Sequence, residues 1–250
     1  MILAIDMGNT NIKIGLVKDE KNIIEERIST EYDRTSLEYA EHIMFVLEFY
    51  NVKASDISGA ILSSVVPPLT AVLSAAVNKV LGIRPIIVSN RLRSEVTFAD
   101  GVGADLIAAG EAAHAFYGGP CIMANLGTAT TITVVTEDCI FRGGVILPGM
   151  KTSLKALSQG AAVLPEISFD RPGSVISLNT VECMRSGIIY GSAAQIDGIA
   201  ERMEEEMGEK CTLLLTGGMA RFCEPYIRHG VIRDDALIMK GLYRLYEENR

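Results

Sequence analysis

"CIMANLGTATTITVV" (Cys121–Val135) is the stretch on which the reading of this chain turns. A short apolar run leads to Asn125-Leu126-Gly127, a cluster of hydroxyl residues follows, and β-branched residues close it. Apolar run, glycine and second β-rich run together spell strand, tight turn, strand. The start of the chain, "ILAIDMGNTNIKIGLV" (Ile2–Val17), has the same outline, with Ile2–Gly8 mirrored by Cys121–Gly127. Each copy is followed by a third strand-like segment, "IIEERIST" in one case and "CIFRGGVIL" in the other, and then by helices. A duplicated three-strand start followed by helices predicts an α/β fold of two similar domains, 1–115 and 116–250. At one matched position the copies differ in charge: the first carries Asp6, the second its neutral amide Asn125.

The intervening segments read as follows. "SLEYAEHIMFVLEFY" has Leu37, Ala40, Ile43, Met44 and Leu47 at helical spacing, with Thr35 or Ser36 as its cap. "GAILSSVVPPL" reads as a buried strand ended by its double proline, with a helix over 69–81. "RPIIVS" is a short strand, "GADLIAAGEAAHAFY" a helix, and Thr180 to Met207 one long helix. "CTLLLTGGMARFCEPYI" reads as strand, glycine turn, helix, and "LIMKGLYRLYEEN" as a closing amphipathic helix.

Composition narrows the function classes. Of the 250 residues, 48% are hydrophobic, enough for a sizeable core, and the formal net charge is -8. An acidic surface argues against nucleic acid or an anionic membrane as the main partner, though not against a small anion in a local pocket. No apolar run reaches the roughly 18 residues of a membrane span, and no signal segment is visible. Five scattered cysteines without CxxC spacing fit reduced thiols in the cytoplasm better than a disulfide framework. With only three histidines, none at ligand spacing, a zinc site is not expected.

Several short constellations carry potential chemistry. In Asp6-Met7-Gly8-Asn9-Thr10-Asn11, followed by Lys13, glycine permits close backbone approach, the turn supplies N–H donors, and Asp6 can hold magnesium. The plain alternative is a hairpin turn. Gly127-Thr128-Ala129-Thr130-Thr131 is either a hydroxyl-rich turn or the second jaw of a polyphosphate clamp. Thr216-Gly217-Gly218 lies between strand and helix, where backbone can approach a flat ligand. In "GVGADL", Asp105 is either a helix N-cap or a general base toward an attacking hydroxyl. Gly187, Gly191 and Gly198 in the long helix allow close approach of another helix, from the same chain or a second copy.

Taken in order, "DMGNTN", "SSVVPP", "GVGADL", "LGTATT", "GGVILPGM", "NTVECMRSGIIYG", "LLLTGGMA" and "LIMKGLYRLYEEN" resemble the type III pantothenate kinase family across nearly the whole chain. The resemblance implies two actin-like (ribonuclease H-like) domains with an ATP cleft between them, as in the acetate and sugar kinase, Hsc70 and actin superfamily. It implies transfer of the γ-phosphate of ATP to the primary hydroxyl of pantothenate, the first step of coenzyme A synthesis. It also implies a homodimer requiring magnesium and a monovalent cation, potassium or ammonium. By position, Asp6 would organise magnesium, and Gly8, Asn9, Thr10, Asn11 and Lys13 would face phosphate together with Gly127, Thr128 and Thr130. Gly217 and Gly218 would lie near the nucleoside, Asp105 would be the general base, and Thr180 would reach the substrate from the partner subunit.

Three positions depart from the family pattern. The family's aspartate at the monovalent-cation site is Asn125, and the arginine of its GxDR motif is Leu106 in Gly103-Ala104-Asp105-Leu106. The family's tyrosine before that motif is absent, Phe98 being the nearest aromatic. Asn125 keeps an oxygen but loses the charge, and Leu106 cannot grip a carboxylate. Arg91, Arg93, Arg142 and Arg185 are the candidate substitutes. These departures keep two alternatives beside pantothenate phosphorylation: a catalytically weak paralogue that senses a nucleotide or pantothenate-like ligand, and a kinase for another small alcohol.

Overall fold

The two strand–turn–strand segments each seed a five-stranded sheet. The computed structural model describes residues 1–161 and 163–250. The chain forms two units, Met1–Phe116 with Ala236–Arg250, and Tyr117–Asp235.

In the first unit, β1 (Ile2–Met7), β2 (Asn11–Val17) and β3 (Ile23–Ser29) run antiparallel in turn, while β4 (Gly59–Ser64) and β5 (Ile86–Ile87) add in parallel on the other side of β1. The order is β3-β2-β1-β4-β5. Every residue of β1 is buried, as expected of a central strand covered on both faces. Leu3, Ile5 and Met7 share one face with Ile12, Ile14 and Leu16, and join a core completed by α1 (Ser36–Phe49) and α2 (Pro67–Leu81).

Thr35 caps α1 in a full capping box with Glu38. The buried stripe of α1 is Tyr39, Ala40, Ile43, Val46 and Leu47; Leu37 and Met44, expected inside, are exposed. Large residues recur at several phases along this helix, so spacing alone did not select the packed face. The double proline starts α2 instead of ending the strand, which stops at Ser64. Proline fits the first helical turn because N–H groups there have no intrahelical acceptor.

The second face of this sheet corrects the sequence division. The closing helix, assigned to 116–250 by its place in the chain, packs in the first unit as α7 (Leu237–Asn249). Two glycines open that sheet face: a Cβ on Gly15 would meet the Met239 sulfur at 2.6 Å, and one on Gly59 would run into the Tyr246 ring. Gly241 in turn lies against the backbone of Ala108 in α3 (Ala104–Tyr117). Leu237, Met239, Leu242 and Leu245 are fully buried, and each such side chain is worth about 1.5–3 kcal/mol of apolar burial.

The second unit repeats the plan. Its sheet has the order β10-β9-β6-β7-β8, built from β6 (Cys121–Leu126), β7 (Ala129–Val135), β8 (Phe141–Pro148), β9 (Thr212–Thr216) and β10 (Val231–Arg233). Reversed, this is the first unit's order with the same strand senses. Ile122, Ala124, Leu126 and Ile132 pack on Ile189, Ala193 and Ile196 of α5 (Thr180–Met207). The unit also carries α4 (Met150–Gly160) and the four-residue α6 (Ala220–Cys223). Among the described residues no helix is long and apolar enough to cross a membrane.

Candidate active site

In the first unit Asp6 stands one residue before the end of β1, opposite Lys13 on β2 and Ser63 on β4. Directly paired residues share a sheet face, so a carboxylate, an ammonium and a hydroxyl lie side by side. Asp6 is 8% exposed, and Ser63, fully buried, donates its hydroxyl to Asp6 Oδ1 at 2.8 Å. Burial, and then the neighbouring charge of Asp105, push the Asp6 carboxyl from 3.8 up to about 6, against the opposite pull of Ser63 and Lys13. A carboxylate lifted this way has less positive charge near it than it can use, which is the environment a divalent cation fits. Lys13 has a partner of its own: its Nζ is 3.1 Å from Glu25.

The turn after β1 is tied down through its acceptors. Gly8 N–H donates to the Asn11 carbonyl at 2.9 Å, Thr30 N–H to the Thr10 carbonyl at 3.0 Å, and the Thr30 hydroxyl to the Gly8 carbonyl at 2.7 Å. A turn whose carbonyls are engaged this way is donor-rich toward solvent and suits an anion. Asn9, Thr10 and Asn11 are exposed there.

Asp105 is the second residue of α3, not its cap: the Ile107 N–H goes to the Gly103 carbonyl at 3.0 Å. The carboxylate bends back so that Oδ1 lies 2.7 Å from where a Cβ on Gly103 would sit. Burial raises the Asp105 carboxyl, while N–H donors of Leu106 and Asp105 itself lower it. Two largely desolvated carboxylates, one lifted by the charge of the other, suit phosphoryl-transfer chemistry, one toward metal and one toward a hydroxyl proton. Ala104 is buried; Leu106 and Phe98 are half-buried.

In the second unit Asn125 pairs with Thr131 and Thr216, as Asp6 pairs with Lys13 and Ser63. The match of Asn125 to Asp6 therefore holds in three dimensions. The site face here is neutral throughout. Alternation separates two threonines: Thr130 is buried opposite Leu126, whereas Thr131 shares the face of Asn125. Thr131 Oγ1 is itself buried and has no hydrogen-bond partner, so an oxygen ligand is available beside Asn125. This set offers oxygen atoms to a monovalent cation but no charge. The sequence placed Thr131 in the hydroxyl-rich turn and Thr216 beside Gly217 without grouping either with Asn125, and it did not group Ser63 with Asp6. Counting residues by twos from Asn125 through the turn groups Thr131 with it; the other two pairings are long-range.

The turn Gly127-Thr128 is held from below. The Thr128 carbonyl accepts from Gly149 N–H at 3.1 Å and from the Thr152 hydroxyl at 2.7 Å, at the start of α4. Gly217 has φ +96, and a Cβ there would meet Asn125 Oδ1 and the Leu126 backbone at 2.6 Å. Gly217→Ala is therefore expected to destabilise by about 2–4 kcal/mol, through positive φ plus overpacking. Thermal melting checks this; an unchanged melting temperature would contradict it. Gly218 is exposed beside it, and Thr180 is exposed as the first residue of α5, after its Asn179 cap. Of the candidate substitute cations, Arg185 is paired with Glu182.

A family model described as type III pantothenate kinase matches residues 2–202. A protein of that name from an Exiguobacterium species is 39% identical over 254 residues, covering all of both chains. Another, from Moorella thermoacetica, is 37% identical over 253 residues, again covering both in full. Among solved structures, one from Campylobacter jejuni described as a Baf family transcriptional activator aligns with a TM-score of 0.63 at 21% identity, over 99% of this chain and 98% of that one. The ROK hexokinase from Thermus thermophilus aligns with a TM-score of 0.53 at 14% identity, over 99% and 98%. The structural likenesses show the two-domain actin-like fold, and the sequence matches show the family: this chain belongs to the type III pantothenate kinase family.

Proposed function

We propose that this protein transfers the γ-phosphate of ATP to the primary hydroxyl of pantothenate, forming 4'-phosphopantothenate at the entry to coenzyme A synthesis in the cytoplasm. The observation that carries this reading is the end-to-end match at 37–39% identity to proteins named for that activity. The carboxylate pair supports it. Asp105 accepts the hydroxyl proton as the hydroxyl oxygen bonds to the γ-phosphorus and the bond to the β-phosphate oxygen breaks, releasing ADP. Asp6, kept in place by Ser63, is the residue that would hold magnesium, which supplies charge neutralisation at the phosphates when bound. Beside Gly8, whose N–H is held by the Asn11 carbonyl, the side chains of Asn9, Thr10 and Asn11 face phosphate, with Lys13 shared between phosphate and Glu25. Thr128 does the same in the second unit beside Gly127, whose N–H is held by the Ala129 carbonyl, and Thr131 joins Thr130 there. Gly217 and Gly218 adjoin the nucleoside, and Phe98, Gly103, Ala104 and Leu106 adjoin pantothenate. Potassium or ammonium at Asn125 is held by neutral oxygens alone, hence weakly.

A homodimer, with Thr180 of the partner subunit reaching the substrate, belongs to the same proposal. The exposed face of α4 and α5 supports it: a Cβ on Gly187 or Gly191 would touch nothing within 4 Å, and Ile176 and Leu178 just before α5 are 86% and 105% exposed. The test is ADP release with ATP, magnesium and potassium, with and without pantothenate. Stimulation accompanied by a phosphorylated product is expected; a folded sample that shows none overturns the assignment.

Leu106 makes a further expectation specific. An arginine restored there would add a charged hydrogen bond to the pantothenate carboxylate, about 1.5–3 kcal/mol, or roughly tenfold to a hundredfold in affinity. Leu106→Arg should lower the KM for pantothenate by that factor with kcat little changed. An unchanged KM in steady-state kinetics would show that another cation already fills the role.

A further inference from the structure

Away from the residues discussed above, three carboxylates of the first unit converge. Glu95 comes from the segment between β5 and α3, Glu111 from α3 and Glu248 from α7; one oxygen of each lies within 4.8 Å of the others. Acidic groups gather on many surfaces without consequence, but Glu111 is not on the surface. It is 0% exposed. The Ser94 hydroxyl donates to its Oε2 at 2.5 Å, while Oε1 is buried with no hydrogen-bond partner. A carboxylate oxygen left bare in the interior is costly, and native structures rarely leave one so.

The charges nearby do not cancel. Arg244 Nη2 lies 2.5 Å from Glu95 Oε1 and 3.0 Å from Glu248 Oε1. His114 Nε2 is 3.7 Å from Glu95 Oε2. One guanidinium is set against three carboxyl groups, an acidic excess. Arg244 Nε is also buried without a partner, so a bridging water is the competing occupant.

We propose that Glu95, Glu111 and Glu248 form a structural site for one hard divalent cation of calcium's size. Carboxylate oxygens alone select calcium, magnesium or manganese over softer metals. Calcium binds oxygen at about 2.3–2.6 Å, so two ligands on opposite sides of it stand roughly 4.6–5.2 Å apart. The three oxygens lie within 4.8 Å of one another, separations that a calcium ion spans. Bound there, the cation links three pieces of chain: the segment around Glu95, α3 and α7. The first and last are already clasped, Arg93 N–H donating to Asn249 Oδ1 and Asn249 Nδ2 to the Arg93 carbonyl, both at 2.9 Å. The cation strengthens the tie to α3, the helix that starts with Ala104-Asp105, which the Ser94–Glu111 hydrogen bond already makes.

The test is calorimetric titration of chelator-treated full-length protein with calcium chloride, without nucleotide, alongside thermal melting. One equivalent should bind and raise the melting temperature. Asp6→Asn should leave this binding intact, which separates it from the magnesium proposed at Asp6. Glu95→Gln, at an exposed position, should weaken binding about tenfold or more, equivalent to roughly 1.4 kcal/mol, and Glu111→Gln should abolish it. If Glu111→Gln does not fold, Glu95→Gln alone carries the comparison. No binding at millimolar calcium, the result a bridging water would give, overturns the proposal. So does binding that survives Glu95→Gln unchanged, or that disappears in Asp6→Asn.

Discussion

Replacing Asp6 by asparagine is expected to remove most turnover and, in the unliganded protein, to raise the melting temperature. Both effects come from the same burial. The folded state lifts this carboxyl from 3.8 to about 6, so it favours the neutral form more than the unfolded chain does. Between those two values the native state binds more protons, and stability falls as pH rises from about 4 to about 6 and stays reduced above. A lift of about two units corresponds to roughly 3 kcal/mol, an upper bound because the amide must find its own partners. At roughly 2–4 °C per kcal/mol for a chain of this size, the Asp6→Asn variant should melt up to about 10 °C higher at pH 7.5. Its pH–stability profile should lose the descent between about pH 4 and 6. Turnover should fall about 10²–10³-fold or further, as when a preorganised electrostatic group is removed. A variant that melts lower, or that turns over like the parent, would refute this account of the site.

How much of this was readable beforehand depends on the range of the interaction. Local signals carried far. The helix from Thr180 to Met207 and the closing helix Leu237–Asn249 lie where periodicity placed them, and Thr35 caps α1 with its own capping box. The duplication also held, because each copy pairs an apolar central strand with a glycine turn, a pattern that survives without long-range information. Placement of α7 did not follow from the chain. What fixes that helix is that Gly15 and Gly59 leave room for Met239 and Tyr246, partners separated by most of the sequence. A glycine in a strand reads equally as a weakness, a bulge or a seat for another element.

The candidate site shows the same division. Asp6, Asp105 and Asn125 are visible as residue types beside glycines. The coupling of Asp6 to Ser63 is not, since it rests on parallel pairing of β1 with β4. Thr131 stood in the hydroxyl-rich turn as one of several threonines; strand alternation from Asn125 puts it on the Asn125 face and Thr130 on the other, buried one. The acid–amide difference between Asp6 and Asn125 acquires its meaning only in three dimensions. Equivalent strand positions, each between a hydroxyl on one neighbour and a polar residue on the other, present charge in one unit and none in the other.

Asp105→Asn is the change that separates chemistry from architecture most cleanly. Asp105 lies in the first turn of α3, where an acidic side chain is favourable whatever its function. If helix stabilisation were its whole role, asparagine would be a mild substitution, costing about 0.3–1 kcal/mol of stability and leaving kinetics alone. If it takes the hydroxyl proton, the amide cannot, and kcat should fall about 10²–10⁴-fold with the KM for ATP nearly unchanged. Burial raises the Asp105 carboxyl, so the acid limb of the parent's kcat profile should sit above the ordinary aspartate range, and the variant's residual rate should lack that limb. A second readout comes from the neighbour. The Asp105 charge is one of the causes that lift Asp6; removing it lets Asp6 ionise at lower pH and recovers part of the stability lost there. The variant is thus expected to be nearly inactive yet as stable as the parent near neutrality, or slightly more so. A purely structural residue would give the reverse, lower stability with intact turnover, so melting and steady-state kinetics on one protein preparation decide between the two roles.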